Sequence, residues 1–248
     1  MTARDARRRF DRAAETFDSA DFVHARTRQG LFDRLEPMTV KARTVVDLGS
    51  ATGASARTLR QRFRGATVIA IDHSLPMLEH AARRSAWLPK RPAVQADAAR
   101  LPLADESVDL VFSNLLLPWI GAREPVFAEV ARVLRKDGLF LFSTLGPDSL
   151  AGLRHEPFAD MHDVGDELVR AGLRDPVLDV DRLTVNYSDE QSLARDLDAV
   201  GGSGCLPGSV DSLDIELELV FGHCWGSGPR PARGEFRFDA GQIGRRDK

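Results

Sequence analysis

Apolar side chains recur every three or four positions near the start of the chain. Phe10, Ala13 and Phe17 show this spacing, and two leucines further on show it again. A period of about 3.6 residues is typical of an α-helix with one buried face. We therefore predict helices over residues 4–36, with a break at residues 18–19 where Asp and Ser stand together.

Short apolar runs then alternate with stretches of helical spacing. The predicted strands are 44–49, 66–72, 93–97, 108–114 and 138–144, and the predicted helices are 54–63, 75–84 and one through 127–134. Strands that are apolar on both faces and alternate with helices indicate a parallel sheet covered on both sides. The predicted fold class is therefore α/β.

The pattern changes in the second half of the chain. Gly and Pro crowd residues 146–157, which indicates a loop or lid, and a helix over 163–171 is expected to begin with Asp163 as its N-cap. Residues 177–187 and 214–223 alternate apolar and polar positions. This period of two predicts a pair of antiparallel strands.

Composition and charge exclude several classes of function. A net charge of −3 over 248 residues argues against a protein that mainly neutralises phosphates, so no nucleic-acid partner is expected. No apolar stretch approaches the roughly 18 residues of a membrane span, so we expect a cytoplasmic chain without a membrane partner. Cys205 and Cys224 match no metal-binding spacing, and no metal site is predicted. We expect a monomer.

The first strand ends in a glycine-rich turn. Residues 45–54 are VVDLGSATGA, and glycines at a strand-to-helix turn let the backbone pass close to a ligand. The G-x-x-x-G spacing from Gly49 to Gly53 differs from the G-x-G-x-x-G of a dinucleotide site, which disfavours hydride transfer. A tight turn without a ligand is the alternative interpretation of this motif alone.

Acidic residues close the next two strands. Asp72 ends the second strand at the distance from Gly49 where doubly wound sheets place the acid that binds ribose hydroxyls. Asp97 ends the third strand. Since the carboxyl ends of parallel strands share one edge of the sheet, these residues and the glycine turn are expected to form one nucleoside-binding site. Each acid taken alone would more often be a solvated turn or a helix cap.

Four motifs, taken in order, resemble those of a known family. DLGSATG, AIDHSLPML, QADAARLPLADESVDLVFSN and EVARVLRKDGLFLFST resemble the class I S-adenosylmethionine-dependent methyltransferases over residues 40–150. Four segments are similar to the malonyl-acyl carrier protein O-methyltransferases of biotin synthesis: RRFDRAAETFDSADFVHARTRQGLFDRL, STLGPDSLAGLR, FADMHDVGDELVRAGLRDPVLDVDRLTVNY and FGHCWG. The resemblance implies a Rossmann-like fold with a seven-stranded sheet, S-adenosylmethionine as cofactor, and malonyl-acyl carrier protein or malonyl-CoA as substrate.

The resemblance also implies roles for matching residues. Those expected beside the methionine part of the cofactor are Asp47, Gly49, Ser50 and Gly53. Those expected around the ribose and adenine are Asp72, His73, Met77, Asp97 and Ala98, while Ser113 and Asn114 face the cofactor and the incoming substrate. Two aromatic residues leave alternatives open: Phe17 covers the cofactor or packs between helices, and Trp119 fills the core or lines the acceptor pocket.

Two departures from the family pattern stand out. Ala51 occupies a position where the family commonly has Gly, so we expect its backbone angle to be one that a Cβ tolerates. The segments after Arg154 and around 201–209 are shorter than the family pattern, so the helices that close the substrate tunnel are expected to be abbreviated.

The implied reaction needs no general base. A malonyl carboxylate, with a pKa of about 4, is already ionised at neutral pH, so the site has to align donor and acceptor and exclude water. Desolvating a lone carboxylate is costly, which calls for a cation beside one of its oxygens. Arg154 is the candidate cation, and the candidate catalytic residues are Asn114 and Arg154.

The chain is expected to divide into four segments. These are a helical cover (1–40), a cofactor-binding core (41–145), a lid and C-terminal part of the same domain (146–225), and a loosely ordered tail (226–248). Three alternative functions stay open: a methyltransferase of another small-molecule acceptor, an arginine hydroxylase of similar pattern, and a non-catalytic relic of the fold.

Overall fold

The computed structural model describes residues 2–84, 92–202, 205, 210 and 212–228. A seven-stranded sheet with the order β3-β2-β1-β4-β5-β7-β6 forms its centre. The strands are β1 Thr44–Leu48, β2 Thr67–Asp72, β3 Ala93–Gln95, β4 Val108–Asn114, β5 Leu134–Leu145, β6 Leu173–Asn186 and β7 Asp214–Gly226. The helices are α1 Ala3–Ala13, α2 Phe22–Leu35, α3 Ala54–Arg62, α4 Leu75–Arg83, α5 Glu124–Val133, α6 Met161–Arg170 and α7 Glu190–Ala199.

Burial on both faces explains the parallel part of the sheet. The side chains of β1 and β4 are almost all buried, and β1 pairs in parallel with both β2 and β4. Apolar clusters lie on each side of the sheet, one around Phe127 and Phe140 and the other around Leu59 and Phe112. The predicted α/β class and the mostly parallel, seven-stranded sheet are confirmed.

The last two strands complete the sheet in antiparallel fashion. β7 pairs with β5 and with β6, and both pairings are antiparallel, as the period-two pattern predicts. β7 packs closely on its neighbour: a Cβ at Gly222 would meet the Phe142 ring at 2.3 Å. This contact explains why a strand with bulky aromatic neighbours has a glycine at that position.

Helices α1 and α2 cover the carboxyl end of the sheet. A 3₁₀ turn at Phe17–Ser19 separates them, at the predicted break. Helix α2 approaches β7 closely, since a Cβ at Gly30 would lie 2.8 Å from the Phe221 ring. Leu31 and Leu35, which belong to α2, are fully buried. Helix α2 is therefore packed onto the sheet itself, whereas α1 packs against α4.

Two local predictions are wrong, and one helix was not predicted. Helix α6 begins at Met161, and its N-cap is Asp160, whose carboxylate accepts from the His162 amide at 2.8 Å, so the assignment of Asp163 as the cap is wrong. Strand β5 begins at Leu134, inside the stretch predicted as helix. Helix α7 was not predicted. The Gly-rich segment 201–209 and the tail 226–248 lie largely outside the residues that the structure describes.

Candidate active site

The glycine turn after β1 folds back onto β2. The amides of Gly49 and Ser50 both donate to the Ile71 carbonyl, at 2.9 and 3.0 Å. Gly49 has φ +76°, and a Cβ there would lie 3.0 Å from Leu116 Cβ. Gly53 also has φ +76° and serves as the N-cap of α3. The turn therefore presents bare backbone next to the N-terminal end of a helix, which suits a ligand that must approach closely.

Asp72 is fixed by two backbone amides. Its Oδ2 accepts from Ala51 and its Oδ1 accepts from Ser74, each at 2.8 Å. Burial raises the pKa of Asp72, while the two amides act in the opposite direction. Because each oxygen has a further lone pair, the carboxylate can accept two hydroxyl hydrogens in addition.

Ala51 differs from the expectation. Its φ of +44° lies in the left-handed region, so the prediction of an angle suited to a Cβ is wrong. The amide of Ala51 must point at Asp72 to make its hydrogen bond, and this requirement sets the backbone angle. Left-handed backbone costs an L-residue roughly 1–2 kcal/mol.

Replacing Ala51 by Gly should therefore stabilise the fold. Ala51→Gly removes the left-handed strain but gives the unfolded chain more freedom, which leaves a net gain of about 0.5–1 kcal/mol in the free energy of unfolding. Urea denaturation with an unchanged m-value measures it. A lower free energy of unfolding in the variant would show that Ala51 is not strained.

Asp47 is an almost completely buried carboxylate. The residue is 1% exposed, and within the described part of the chain neither oxygen has a hydrogen-bond partner of ordinary geometry. The backbone amide of Ala56 favours the ionised form, but its effect on the pKa is smaller than that of burial. Burial raises the pKa of Asp47 to about 7, and the charge of Asp72 adds to the rise. Asp47 is therefore protonated in the folded state at pH values where an exposed Asp is ionised.

The raised pKa of Asp47 makes stability depend on pH. Unfolded Asp47 loses its proton near 3.8 and folded Asp47 near 7, so the folded state binds more protons between these values and the free energy of unfolding falls as pH rises. Asp47→Asn removes this contribution. The stability of the variant relative to the parent should rise from pH 4 to pH 7 by on the order of 1–4 kcal/mol in urea denaturation. A difference that is constant with pH would contradict the shift.

A cavity, which we call the loop cavity, lies over the glycine turn. The predicted cofactor residues that line it are Gly49, Ser50, Asp72, His73, Asp97 and Ala98, together with Asn114. The strand ends that the sequence placed at one edge of the sheet thus meet around one space. The remaining wall comes from α1, α2 and the 3₁₀ turn between them, which contribute Ala6, Phe10, Phe17, His24 and Arg28.

Four predicted cofactor residues lie outside the lining of the loop cavity: Asp47, Gly53, Met77 and Ser113. Met77 is fully buried and packs against the N-terminal helices instead. Ser113 donates to the Leu48 carbonyl at 2.9 Å, which joins β4 to β1. These residues support the turn and the strands beside it, and their contact with the cofactor stays a prediction.

A second space, which we call the large cavity, has a volume of about 780 Å³. Its walls come from the N-terminal helices, the segment after β4, the loop 154–159 and the strands β6 and β7. Arg154 is exposed and lines this cavity but not the loop cavity. Among the described residues, four line both cavities and so lie at the boundary between them, which we call the neck: His24, Leu115, Trp119 and Ile120.

Asn114 is held by protein groups at both ends of its amide. Its Oδ1 accepts from Ser143 Oγ at 2.9 Å, and its Nδ2 donates to the His24 carbonyl at 3.0 Å. The side chain therefore joins β5 to α2 at the wall of the loop cavity. Its polar atoms position the N-terminal helices as well as facing the site.

The N-terminal helices are also tied to the glycine turn. Thr52 Oγ1 donates to Asp18 at 2.5 Å, and Asp18 forms an ion pair with Arg84 at the end of α4. Phe17 is 4% exposed and packs beside Met77, and it also lines the loop cavity, so its coverage of the cofactor stays a prediction. Trp119 lines both cavities. Residues 17–18 therefore join the N-terminal helices to the glycine turn, through the ring of Phe17 at the loop cavity and the carboxylate of Asp18 at Thr52.

Sequence reasoning missed His24 and Arg28. Both lie on α2 and line the loop cavity, and the N-terminal segment that contains them resembles the family, but neither residue was given a role. Their position depends on how α2 packs across the sheet, which a helical period alone does not specify.

No helix in the described part of the chain is long and apolar enough to span a membrane.

Comparison with known proteins agrees with this geometry. A family model described as a methyltransferase domain matches residues 46–142. The YcgJ protein of Bacillus subtilis shares the fold with a TM-score of 0.61 at 16% identity, over 83% of this chain and all of that one. Phosphoethanolamine N-methyltransferase 2 of Haemonchus contortus, in complex with S-adenosyl-L-methionine, has a TM-score of 0.59 at 17% identity, over 80% and 52%. The fold and the site define a class I S-adenosylmethionine-dependent methyltransferase.

Curated relatives specify the family. The malonyl-[acyl-carrier protein] O-methyltransferase of Halorhodospira halophila is 36% identical over 98% of this chain and 96% of its own length. That of Methylovorus sp. is 41% identical over 88% and 87%. The chain belongs to the family of malonyl-[acyl-carrier protein] O-methyltransferases and is an S-adenosylmethionine-dependent O-methyltransferase. The first alignment spans 282 positions against 248 residues here, so that relative has stretches without a counterpart in this chain.

Proposed function

We propose that this enzyme methylates the free carboxylate of a malonyl thioester carried by acyl carrier protein, as a step of biotin synthesis. The observation that carries the proposal is the meeting of two cavities at one neck, in a chain whose curated relatives bear this activity in their names. A large cavity of about 780 Å³ has room for an elongated acyl group beside a nucleoside site.

The residues of the loop cavity fit S-adenosylmethionine. A Cβ at Gly49 would lie 3.0 Å from Leu116 Cβ, so glycine keeps the backbone of the turn open to a ligand. Asp72 offers a carboxylate that two amides already orient. Asp72 and His73 would hold the ribose, Asp97 and Ala98 the adenine, and Gly49 and Ser50 the methionine part. When bound, the cofactor supplies an electrophilic methyl group on a sulfonium.

The walls of the neck favour transfer by position and by exclusion of water. Leu115 and Trp119 are apolar residues of the segment after β4, and Ile120 follows them. A carboxylate is a nucleophile in its resting ionised form, so the protein does not have to remove a proton. Alignment of donor and acceptor in an apolar space can supply a large part of the rate.

Asn114 keeps the role that the sequence indicates as a proposal, whereas Arg154, which lines the large cavity but not the neck, is proposed to attract the acceptor and not to hold a carboxylate oxygen at the point of transfer. Arg154 would attract the charged acceptor into the large cavity, although its exposure to solvent weakens such a pairing. Asn114 would face the cofactor while its amide anchors α2. Free, buried Cys205 and Cys224 suit a reducing cytoplasm, where we place the enzyme as a monomer.

The product of the purified enzyme tests the proposal. With S-adenosylmethionine and malonyl-acyl carrier protein, mass spectrometry should show a gain of about 14 Da on the malonyl group. Malonyl-CoA, free small acids and acetyl-acyl carrier protein serve as competing acceptors. A gain of about 16 Da would indicate hydroxylation, and a faster reaction of another acceptor would replace malonyl-acyl carrier protein as the substrate. Rescue of a biotin auxotroph that lacks this methylation step provides the test in cells.

A further inference from the structure

Among the described residues of the neck, His24 has the only side chain with both a hydrogen-bond donor and an acceptor nitrogen. Among the described residues that line both cavities, the other three are Leu115, Trp119 and Ile120, which offer no charge, and only the indole N–H of Trp119 could compete as a donor. Any group that reaches from the large cavity to the methyl donor has to pass the imidazole of His24. The geometry therefore puts one hydrogen-bonding ring at the point of transfer.

The His24 ring is held by its packing against Phe17, and no group among the described residues bonds to its Nδ1. Its backbone carbonyl accepts from Asn114 and Thr27, and the ring meets Phe17 edge-on with centroids 4.8 Å apart. Its Nδ1 is buried and has no hydrogen-bond partner within the described residues. Because Nδ1 is closed to solvent, a ligand in either cavity can bond to the ring only through Nε2, which is not among the buried unpartnered atoms.

The charge state of the ring is set by its surroundings. Burial lowers the pKa of His24 to about 4, and the positive charge of Arg28 one helical turn away adds to the effect. The imidazole is therefore neutral at physiological pH, with one N–H donor and one acceptor nitrogen.

We propose that the N–H of His24 holds the non-attacking oxygen of the acceptor carboxylate at the neck, and so selects a free carboxylate over an uncharged acyl end. This inference rests on the proposed function. Methyl transfer from a sulfonium to a carboxylate neutralises two charges, so a full cation beside the acceptor would stabilise the starting state more than the transition state. A neutral donor orients the carboxylate with less of this penalty. The methyl ester product is a weaker acceptor and is released.

Steady-state kinetics with two substitutions test the role. His24→Leu fills the same space without a donor, and His24→Gln restores an uncharged N–H. We expect kcat/KM for malonyl-acyl carrier protein to fall 10–100-fold in the Leu variant, mainly through KM, and to recover at least fivefold in the Gln variant. The Kd of S-adenosylhomocysteine should change less than threefold in both. His162→Leu, at an exposed histidine outside both cavities, is the matched control.

Each other outcome overturns the inference. A normal kcat/KM in His24→Leu contradicts any contact with the acceptor, and a Gln variant no better than Leu contradicts the donor role. A rise in the Kd of S-adenosylhomocysteine equal to the loss in kcat/KM would assign His24 to the cofactor site instead. Wild-type activity is measured first: a parent enzyme that does not methylate malonyl-acyl carrier protein contradicts the proposed function, and this inference with it.

A measurement on the parent enzyme covers the case in which His24→Leu does not fold. With ¹⁵N-labelled histidine, addition of malonyl pantetheine to the complex with S-adenosylhomocysteine should move the His24 N–H proton downfield. Acetyl pantetheine, which lacks the carboxylate, should not. Equal shifts with both compounds, or no shift with either, would contradict the proposed hydrogen bond.

Discussion

Gly49→Ala should raise the Kd of S-adenosylhomocysteine by about 100-fold. The added Cβ would lie 3.0 Å from Leu116 at a backbone φ of +76°, so the turn relaxes by moving its backbone or by pushing Leu116 into the loop cavity. Either change removes the close approach that a nucleoside ligand requires. A loss of about 100-fold corresponds to roughly 2.8 kcal/mol of binding free energy. Isothermal titration calorimetry measures it.

Gly65→Ala separates strain from crowding. Gly65 also has a positive φ, of +91°, but a Cβ there would meet nothing within 4 Å. This variant should lose about 1 kcal/mol of stability from backbone strain and bind S-adenosylhomocysteine as the parent does. Equal affinities in the Gly49 and Gly65 variants would mean that the turn after β1 does not cradle the cofactor.

Asp72→Ala should weaken S-adenosylhomocysteine binding about 10–100-fold. The variant loses the charged acceptor proposed for the ribose hydroxyls, and hydrogen bonds to charged groups contribute about 1.5–3 kcal/mol. It also loses the contacts that orient the Ala51 and Ser74 amides. The Kd is measured by the same titration.

Asp33→Ala is the matched control for Asp72→Ala. Asp33 is an exposed carboxylate on α2, bonded to Gln29 and outside both cavities, so its removal should leave the Kd unchanged. Thermal unfolding of both variants distinguishes a loss of binding from a loss of fold. An unchanged Kd in a folded Asp72→Ala would show that the ribose binds elsewhere.

The sheet and its edge could be predicted because burial leaves a strong pattern in the sequence. A strand covered on both faces has to be mainly apolar, as β1 and β4 are, and parallel pairing then brings the strand ends together. Hence Gly49, Asp72 and Asp97 meet around one cavity without any knowledge of side-chain packing. The antiparallel pair β6 and β7 was also predictable, from its period of two.

The rest of the site depends on contacts between distant parts of the chain. Whether Ala51 is strained depends on the amide contact with Asp72, and the position of His24 depends on how α2 crosses the sheet. Met77 faces the N-terminal helices because Phe17 packs there. Arg154 lines only the large cavity because the loop that carries it folds against residue 205, whose carbonyl accepts its amide. None of these features has a local period or motif.

The two cavities draw their walls from separate stretches of the chain. Most of the sheet-edge wall of the loop cavity lies within residues 46–142, the span of the widespread methyltransferase domain. Most of the wall of the large cavity lies before or after that span. Mutations in the flanking stretches can therefore change the walls of the large cavity, and with them the choice of acceptor, without altering the sheet-edge wall of the loop cavity. Such a division lets one ancestral chain give rise to enzymes for unrelated acceptors.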